Sequence, residues 1–377
     1  MGRTHVLHAF QPDIGGVPGY VHRLSDGLLS RDWQVSVAGP AAVVDAWELP
    51  ARGAGAHPFS LSRLPHPVRD ARAIATLAAH IRRTDVDLVH THSTKAGLVA
   101  GLAARRAGVP VVHTPHSWAF EIQTRRPVRG TYAAVERALT RRCRSAIVAV
   151  SHHERRVALE WNVGRDARMT VIRTGLPAAE AAPGRAEARA LLSLSEEELV
   201  VAWVGRRAPQ KRPRDLCLLA ELLGPRATVL ALGHGLSGTP EGLELLIAGG
   251  RLLDEDVSPA LVYAAADVLV QTSAWEGLSL AVIEGMRAGL PVVAYAAGGT
   301  VEQVAHNESG FLTEVGDVPG LAAHVLTLGQ NPVRRLAMGR VSAAHFARRH
   351  GFERMLDEME TVYDDVLSRA AQAARRN

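Results

Sequence analysis

Glu276 and Glu284 are the residues of this chain whose type and spacing most directly suggest chemistry. They stand eight positions apart in Trp275-Glu276-Gly277-Leu278-Ser279-Leu280-Ala281-Val282-Ile283-Glu284. The apolar run Ala266–Val270 before them reads as a buried strand, and Leu290–Ala294 after them as another. The first acid then falls in a strand-end loop and the second inside the helix that follows. Ligands of open α/β sheets bind outside the carboxyl ends of strands, so both carboxylates stand beside a ligand crevice. A carboxylate pair is also the equipment of glycoside hydrolysis, provided the pair flanks one bond.

Two other regions carry chemistry-bearing residues. Ile14-Gly15-Gly16-Val17-Pro18-Gly19 follows the first strand and opens a helix. Glycines there allow close backbone approach, and the helix N-terminus offers free N–H groups to an anion. The same residues also suit a tight turn, and they are out of register with the dinucleotide fingerprint. His90-Thr91-His92-Ser93-Thr94-Lys95 and Val112-His113-Thr114-Pro115-His116 place histidines at two further strand ends. Metal sites usually add carboxylates or thiolates at short spacing. The one acid close by is Glu121, and the two cysteines, Cys143 and Cys217, are far apart. No metal site and no disulfide framework are expected.

The elements that must position these residues alternate short apolar runs with amphipathic patterns, the mark of parallel α/β architecture. The chain's 377 residues suit two domains. Its 47% hydrophobic and 21% charged residues suit a soluble globular protein. No apolar run reaches the 18 or so residues of a spanning helix, and the N-terminus lacks signal-peptide character. A cytoplasmic location is expected. Strands are predicted at His5–Phe10, Gln34–Ala38, Leu88–His90, Val111–His113 and Ala146–Val150. A second series is predicted at Val200–Gly205, Thr228–Leu232, Val268–Gln271 and Val292–Tyr295. Helices are predicted at Gly19–Arg31, Lys95–Ala107 and Glu353–Arg375. Ala178–Ser195 shows no strand pattern, which sets a boundary near Pro183. The expected domains are residues 1–182 and 183–352, with a terminal helix over 353–377.

The Glu276–Glu284 stretch, with its Glu-Gly pair and its Gly289-Leu290-Pro291-Val292-Val293 run, resembles the Glu-x7-Glu signature of the retaining glycosyltransferases of family 4. The likeness extends from His5 to about Phe346. It implies the GT-B fold: two Rossmann-like domains facing across a cleft, the first for the acceptor and the second for a nucleotide-sugar donor. It implies that the terminal helix packs back on the first domain. Glu284 would hold the ribose hydroxyls and Glu276 the donor sugar. Arg206 and Lys211 keep the family's five-residue spacing in Gly205-Arg206-Arg207-Ala208-Pro209-Gln210-Lys211. They would neutralise the departing diphosphate without a metal or other cofactor. Gly15 and Gly16 match the loop that closes over the diphosphate. Gly205, Gly277, Leu278, Ser279, Gly298, Gly299 and Thr300 complete the implied donor site. His116 matches the family histidine that contacts the sugar; for His90 and His92 a structural or acceptor-side role stands level with catalysis. The chain departs from the family at Arg173-Thr174-Gly175-Leu176-Pro177 and at Ser279, where proline is frequent.

The implied reaction is sugar transfer with retention from a uridine or guanosine diphosphate sugar. The acceptor is a metabolite, a saccharide or a lipid-linked glycan. Under this resemblance the two carboxylates serve two parts of one donor, unlike a hydrolase pair. A nucleotide-sugar epimerase and a non-catalytic nucleotide-sugar-binding protein are the alternatives. The formal net charge is +5, and nine arginines face two acids, Glu136 and Glu154, between Arg125 and Arg156. Such a stretch suits peripheral contact with anionic lipid on the inner face of a membrane. No nucleic-acid recognition motif accompanies it.

Overall fold

The computed structural model describes residues 3–59, 61, 66–122, 124–143, 145–178 and 182–376. Arg144 of the basic stretch, residues 179–181 near the expected boundary, the first two residues and the last lie outside the described residues. The chain forms two compact units, Met1–Thr174 with Arg354–Asn377, and Gly175–Glu353. The division therefore falls after Thr174, ahead of the expected boundary near Pro183. The reason is local: the Leu176 N–H donates to the His350 carbonyl at 2.9 Å, and Leu176 bridges to Gly351. These contacts hold the start of the connecting segment within the second unit.

The first unit contains β1 His5–Phe10, β2 Gln34–Gly39, β3 Gly55–Pro58, β4 Leu88–His92, β5 Val111–Thr114, β6 Ala146–Ala149 and β7 Met169–Val171. They form one parallel sheet in the order β3-β2-β1-β4-β5-β6-β7. Every residue of β1 is buried, as expected of a central strand covered on both faces. Helix Gly16–Ser30 follows β1 and buries Tyr20, Val21, Leu24 and Leu28 as one stripe. Terminal helix Phe352–Ala374 belongs to this unit apart from its first two residues. It buries Met355, Leu356, Met359, Val362 and Tyr363. Its Glu360 accepts from the Trp33 indole at 2.7 Å and pairs with Arg31 at 2.5 Å.

The second unit contains β8 Val200–Arg206, β9 Thr228–His234, β10 Arg251–Leu253, β11 Val268–Gln271, β12 Val292–Tyr295 and β13 Gly310–Thr313. This sheet is also parallel, in the order β10-β9-β8-β11-β12-β13. Both units are thus Rossmann-like. In each, the strand order reverses beside the first strand, between β1 and β4 and between β8 and β11. Such a switch point is where the strand ends part and leave a crevice. Among the described residues, no helix is long and apolar enough to cross a membrane.

One buried network fixes the position of β11. Asp267, just before it, receives Arg189 at 2.8 Å, Arg185 at 2.9 Å and the Val200 backbone N–H at 2.8 Å. The Arg189 side chain is 0% exposed and that of Asp267 is 4% exposed. Removing one partner strands a charge in the interior, which costs about 3–5 kcal/mol. Asp267→Ala is therefore expected to lower the unfolding free energy by that amount, seen as a lower urea midpoint at constant m. A loss under about 1 kcal/mol would show that Arg189 finds other partners, such as the carbonyls it already meets.

Candidate active site

The crevice of the second unit is built by two loops, one leaving β8 and one leaving β11. The Trp203 indole donates to Thr272 Oγ1 at 3.0 Å, and that hydroxyl donates to the Lys211 carbonyl at 2.6 Å. The Ala274 N–H reaches the Gln210 carbonyl at 2.8 Å, and Gln210 Nε2 donates to the Trp275 carbonyl at 2.8 Å. Arg206 Nη2 donates to Gln210 Oε1 at 3.3 Å. This stitching brings Lys211 Nζ to 2.6 Å from Glu276 Oε1, with the two side chains 13% and 8% exposed. Arg206, Lys211 and Glu276 therefore share one strand-end crevice. Arg207 and Arg212, without counterparts in the motif, pair with Glu241 and Asp215. They line a separate cavity of about 380 Å³.

Of the other residues expected in the donor site, Gly298 and Gly299 lie against Glu276. Gly298 lies at φ +56°, and a Cβ there would come within 2.0 Å of the Glu276 carbonyl oxygen. The Gly299 N–H donates to that same carbonyl at 2.8 Å. The Gly-Gly turn is thus required for its backbone to lie against Glu276. Glu284, one turn into helix Leu280–Arg287, is half-buried and accepts from Tyr263 Oη at 3.1 Å. Burial, and then the charge of Glu284, hold the Tyr263 phenol well above its usual pKa, so it remains a donor. Ser279, expected to line the donor site, is only 2% exposed. Its hydroxyl receives Gln271 at 2.6 Å and its N–H donates to Gln303 at 3.0 Å, so it braces the loop from inside. Thr300 is likewise fully buried, while Gly205 and Leu278 are half-buried and Gly277 is buried.

The first unit builds a second candidate cluster at its own switch point. Gly15 lies at φ 99° and ψ −163°, a region open essentially to glycine alone. It precedes helix Gly16–Ser30, whose N-terminus has no side-chain cap. Gly15 and Gly16 are both exposed. Parallel pairing sets His8 opposite His90 and Phe10 opposite His92, so His8, His90 and His92 share one face of the sheet. All three are 0% exposed. His8 Nδ1 lies 3.1 Å from His92 Nε2, and His92 Nδ1 lies 3.1 Å from His116 Nε2. His90 meets Tyr363 Oη at 2.6 Å and Thr114 Oγ1 at 2.8 Å. Burial pushes His8 and His116 down to about 3, and His90 and His92 well below their ordinary value. The four rings are therefore neutral at physiological pH. His8, His90 and His92 could each bring one nitrogen within 4.8 Å of the others, as metal ligands would. His90, however, already has a hydroxyl partner on each nitrogen.

His116 is half-buried and sits in a strained turn, with φ 54° at His116 and 85° at Ser117. Such conformations persist only when the surroundings enforce them. Glu154 does so from helix His152–Glu160: it accepts from the Ser117 N–H at 2.5 Å and the Val150 N–H at 2.7 Å. Glu154 is fully buried, and burial pushes its carboxyl up to about 8. His113 stays in β5, bonded to Thr91 Oγ1 at 2.8 Å and 3.8 Å from Glu136. Glu121, the acid nearest the histidines in sequence, pairs with His153 at 2.6 Å. Sequence reasoning missed His8, Tyr263, Gln210, Thr272 and the role of Glu154. The lone signal for any of them was the acid Glu154 in the first turn of a helix opening after Ser151.

Two Rossmann-like units, the second with Arg206, Lys211 and Glu276 gathered at its strand-order switch point, have the architecture of enzymes that handle nucleotide sugars. Residues 14–180 match Glycosyltransferase Family 4 and residues 184–344 match Glycosyl transferases group 1. The chain is 32% identical over 389 residues to D-inositol 3-phosphate glycosyltransferase of Streptomyces avermitilis, spanning 94% of this chain and 76% of that one. It is 26% identical over 319 residues to UDP-Gal:alpha-D-GlcNAc-diphosphoundecaprenol alpha-1,3-galactosyltransferase of Escherichia coli, spanning 80% and 81%. In fold it is similar to Anabaena HepE, solved in complex with UDP-glucose. The TM-score is 0.83 at 21% identity, over 96% of this chain and 100% of that one. The chain belongs to glycosyltransferase family 4, with the GT-B fold, and is a nucleotide-sugar-dependent glycosyltransferase.

Proposed function

We propose that this chain is a retaining hexosyltransferase that needs no metal, with a donor-binding second unit and an acceptor-binding first unit. The observation that carries the reading is the Lys211–Glu276 pair beside Arg206, in the crevice between β8 and β11. One N–H of Lys211 reaches Glu276, and an ammonium has three. Arg206 and Lys211 neutralise the diphosphate as it leaves, Glu276 accepts from the donor sugar, and Glu284 accepts from the ribose. Gly15 and Gly16 close over the diphosphate, and His116 contacts the sugar. In front-face transfer the bond from the anomeric carbon to the phosphate oxygen breaks as the bond to the acceptor oxygen forms. The acceptor proton passes to the departing diphosphate oxygen.

Thermal shift with uridine and guanosine diphosphates and their sugars tests the donor site. Ligand at a hundred times its Kd adds about 2.7 kcal/mol of stability. One nucleotide series is expected to stabilise the protein, and Glu284→Ala to abolish that shift. Turnover is expected to persist in EDTA. Silence with every nucleotide would sink the donor assignment, and activity lost to EDTA but restored by a divalent ion would sink metal independence.

For the acceptor we propose a lipid-linked saccharide reached at the cytoplasmic face of a membrane. The E. coli relative is named for a diphosphoundecaprenol-linked substrate. In helix Arg126–Cys143, Val128, Tyr132 and Val135 are exposed at one-face spacing. Arg125, Arg126, Arg141 and Arg142 are exposed around them. Apolar anchors among cations suit an anionic headgroup layer. The protein is expected to sediment with phosphatidylglycerol vesicles but not phosphatidylcholine vesicles, and Arg141→Glu with Arg142→Glu to release it. Equal sedimentation with both lipids would remove the support for this surface.

A further inference from the structure

The row His8–His92–His116 constrains itself through its hydrogens. Each neutral imidazole carries one hydrogen, on Nδ1 or on Nε2. His92 sits between two imidazole nitrogens, each 3.1 Å away, so it donates to one and accepts from the other. Only two arrangements satisfy both links. In the first, His8 Nδ1–H donates to His92 Nε2, and His92 Nδ1–H donates to His116 Nε2. His116 then carries its own hydrogen on Nδ1. In the second, every hydrogen runs the other way: His116 donates from Nε2, His92 from Nε2, and His8 carries its hydrogen on Nε2.

The far end of the row separates them. His8 Nε2 is sealed from solvent and has no hydrogen-bond partner among the described residues. The second arrangement buries an N–H there with no acceptor. The first buries a bare lone pair. Among buried backbone groups an N–H left without an acceptor is rarer than an under-satisfied acceptor, and the imidazole is taken to follow the same order. At the near end His116 is half-buried, so neither arrangement strands its Nδ1 away from solvent. The preference is therefore set at His8 and transmitted through His92. His90 imposes no direction on the row, because both its partners are hydroxyls that donate or accept. Its ring lies 4.1 Å from that of His92, centroid to centroid, and steadies it.

We propose that His8 and His92 are positioning residues that hold His116 in its Nδ1–H tautomer, so that it meets the sugar as a hydrogen-bond donor. This rests on the reading that His116 contacts the sugar. It also removes His116 from the base role. A donor nitrogen facing the substrate cannot take the acceptor's proton, which agrees with that proton leaving on the diphosphate oxygen.

Long-range proton–nitrogen correlation spectra of the full chain, labelled with ¹⁵N-histidine, test the tautomer without substrate. The expected spectrum has His116 protonated at Nδ1 and bare at Nε2. A hydrogen on His116 Nε2 overturns the proposal. The same spectrum is expected to show His8 and His92 protonated at Nδ1 as well, because all three hydrogens run one way along the row. A hydrogen on Nε2 of His8 or of His92 also overturns it. Should His116→Ala keep full turnover while the Nδ1–H tautomer is seen, the sugar-contact reading fails and the relay stands.

Discussion

Glu276→Gln is expected to lower kcat/KM by about 10²-fold or more, the scale of losing one charge-stabilising group in a water-poor site. Glutamine keeps the shape and can still accept a hydrogen bond from Lys211, so the fold is expected to survive. What changes is charge. In the ligand-free protein Glu276 holds Lys211 at 2.6 Å, with both side chains largely covered. In the proposed function this carboxylate has two tasks, binding the sugar and fixing the ammonium that neutralises the diphosphate; the observed contact carries the second. Lys211→Ala is expected to cost a similar factor. Because the two groups act as one unit, the double variant is expected to lose little more than the worse single variant. Steady-state kinetics with the donor found by thermal shift would measure all three. Full turnover in Glu276→Gln, or simple multiplication of the two single losses, would refute the shared role.

Loss of stability in mild acid is the second large effect expected. His8 and His116 are held at about 3, His113 at about 4, and His90 and His92 well below the ordinary 6.5. A depressed folded-state pKa contributes stability above the unfolded value and loses it as pH falls through the folded value. Each such histidine contributes up to about 1.4 kcal/mol per pH unit below 6.5. Glu136 and Glu154 act oppositely, being pushed up to about 7 and about 8 by burial. Their contribution is full below about 4.5 and is lost as pH rises through 7 and 8. Between 4.5 and 6.5 the five histidines outweigh the two acids, and above 6.5 the acids decide. Stability of the first unit is therefore expected to peak near pH 6.5. Two further pH units of this net slope amount to about 8 kcal/mol at most, comparable with the roughly 5–15 kcal/mol by which a domain is stable. Thermal melts from pH 4.5 to 9 would show it. A flat melting temperature between pH 7 and 5 would mean that these histidines take up protons without unfolding.

The central strands were legible in the sequence, and the reason is burial. β1, β8, β11 and β12 are central and read as largely apolar runs, while β4 is equally buried but shows only Leu88 and Val89 before its polar end. The four strands absent from the sequence prediction, β3, β7, β10 and β13, all lie at sheet edges. Gly55–Pro58 has no apolar alternation, and Arg251–Leu253 and Met169–Val171 are three residues each. Gly310–Thr313 is buried but short, and it is a strand because β12 pairs with it. Short edge strands carry too little local signal for a periodicity to form.

The sequence by itself determined the family, the alternation of strands and helices, and which residues are candidates for the site. Glu276, Arg206, Lys211, Gly15, Gly16 and His116 stand at or soon after strand ends and Glu284 in the helix after β11, because turns and helix starts are written locally. The tertiary structure decided which of them meet. Lys211 reaches Glu276 only because β8 pairs with β11, and His8 joins His92 only because β1 pairs with β4. It also decided protonation: Glu154 reads as one acid in a basic stretch, yet it is sealed beneath the His116 turn. Strand pairing and desolvation are non-local, since each depends on what distant segments bring to the same place.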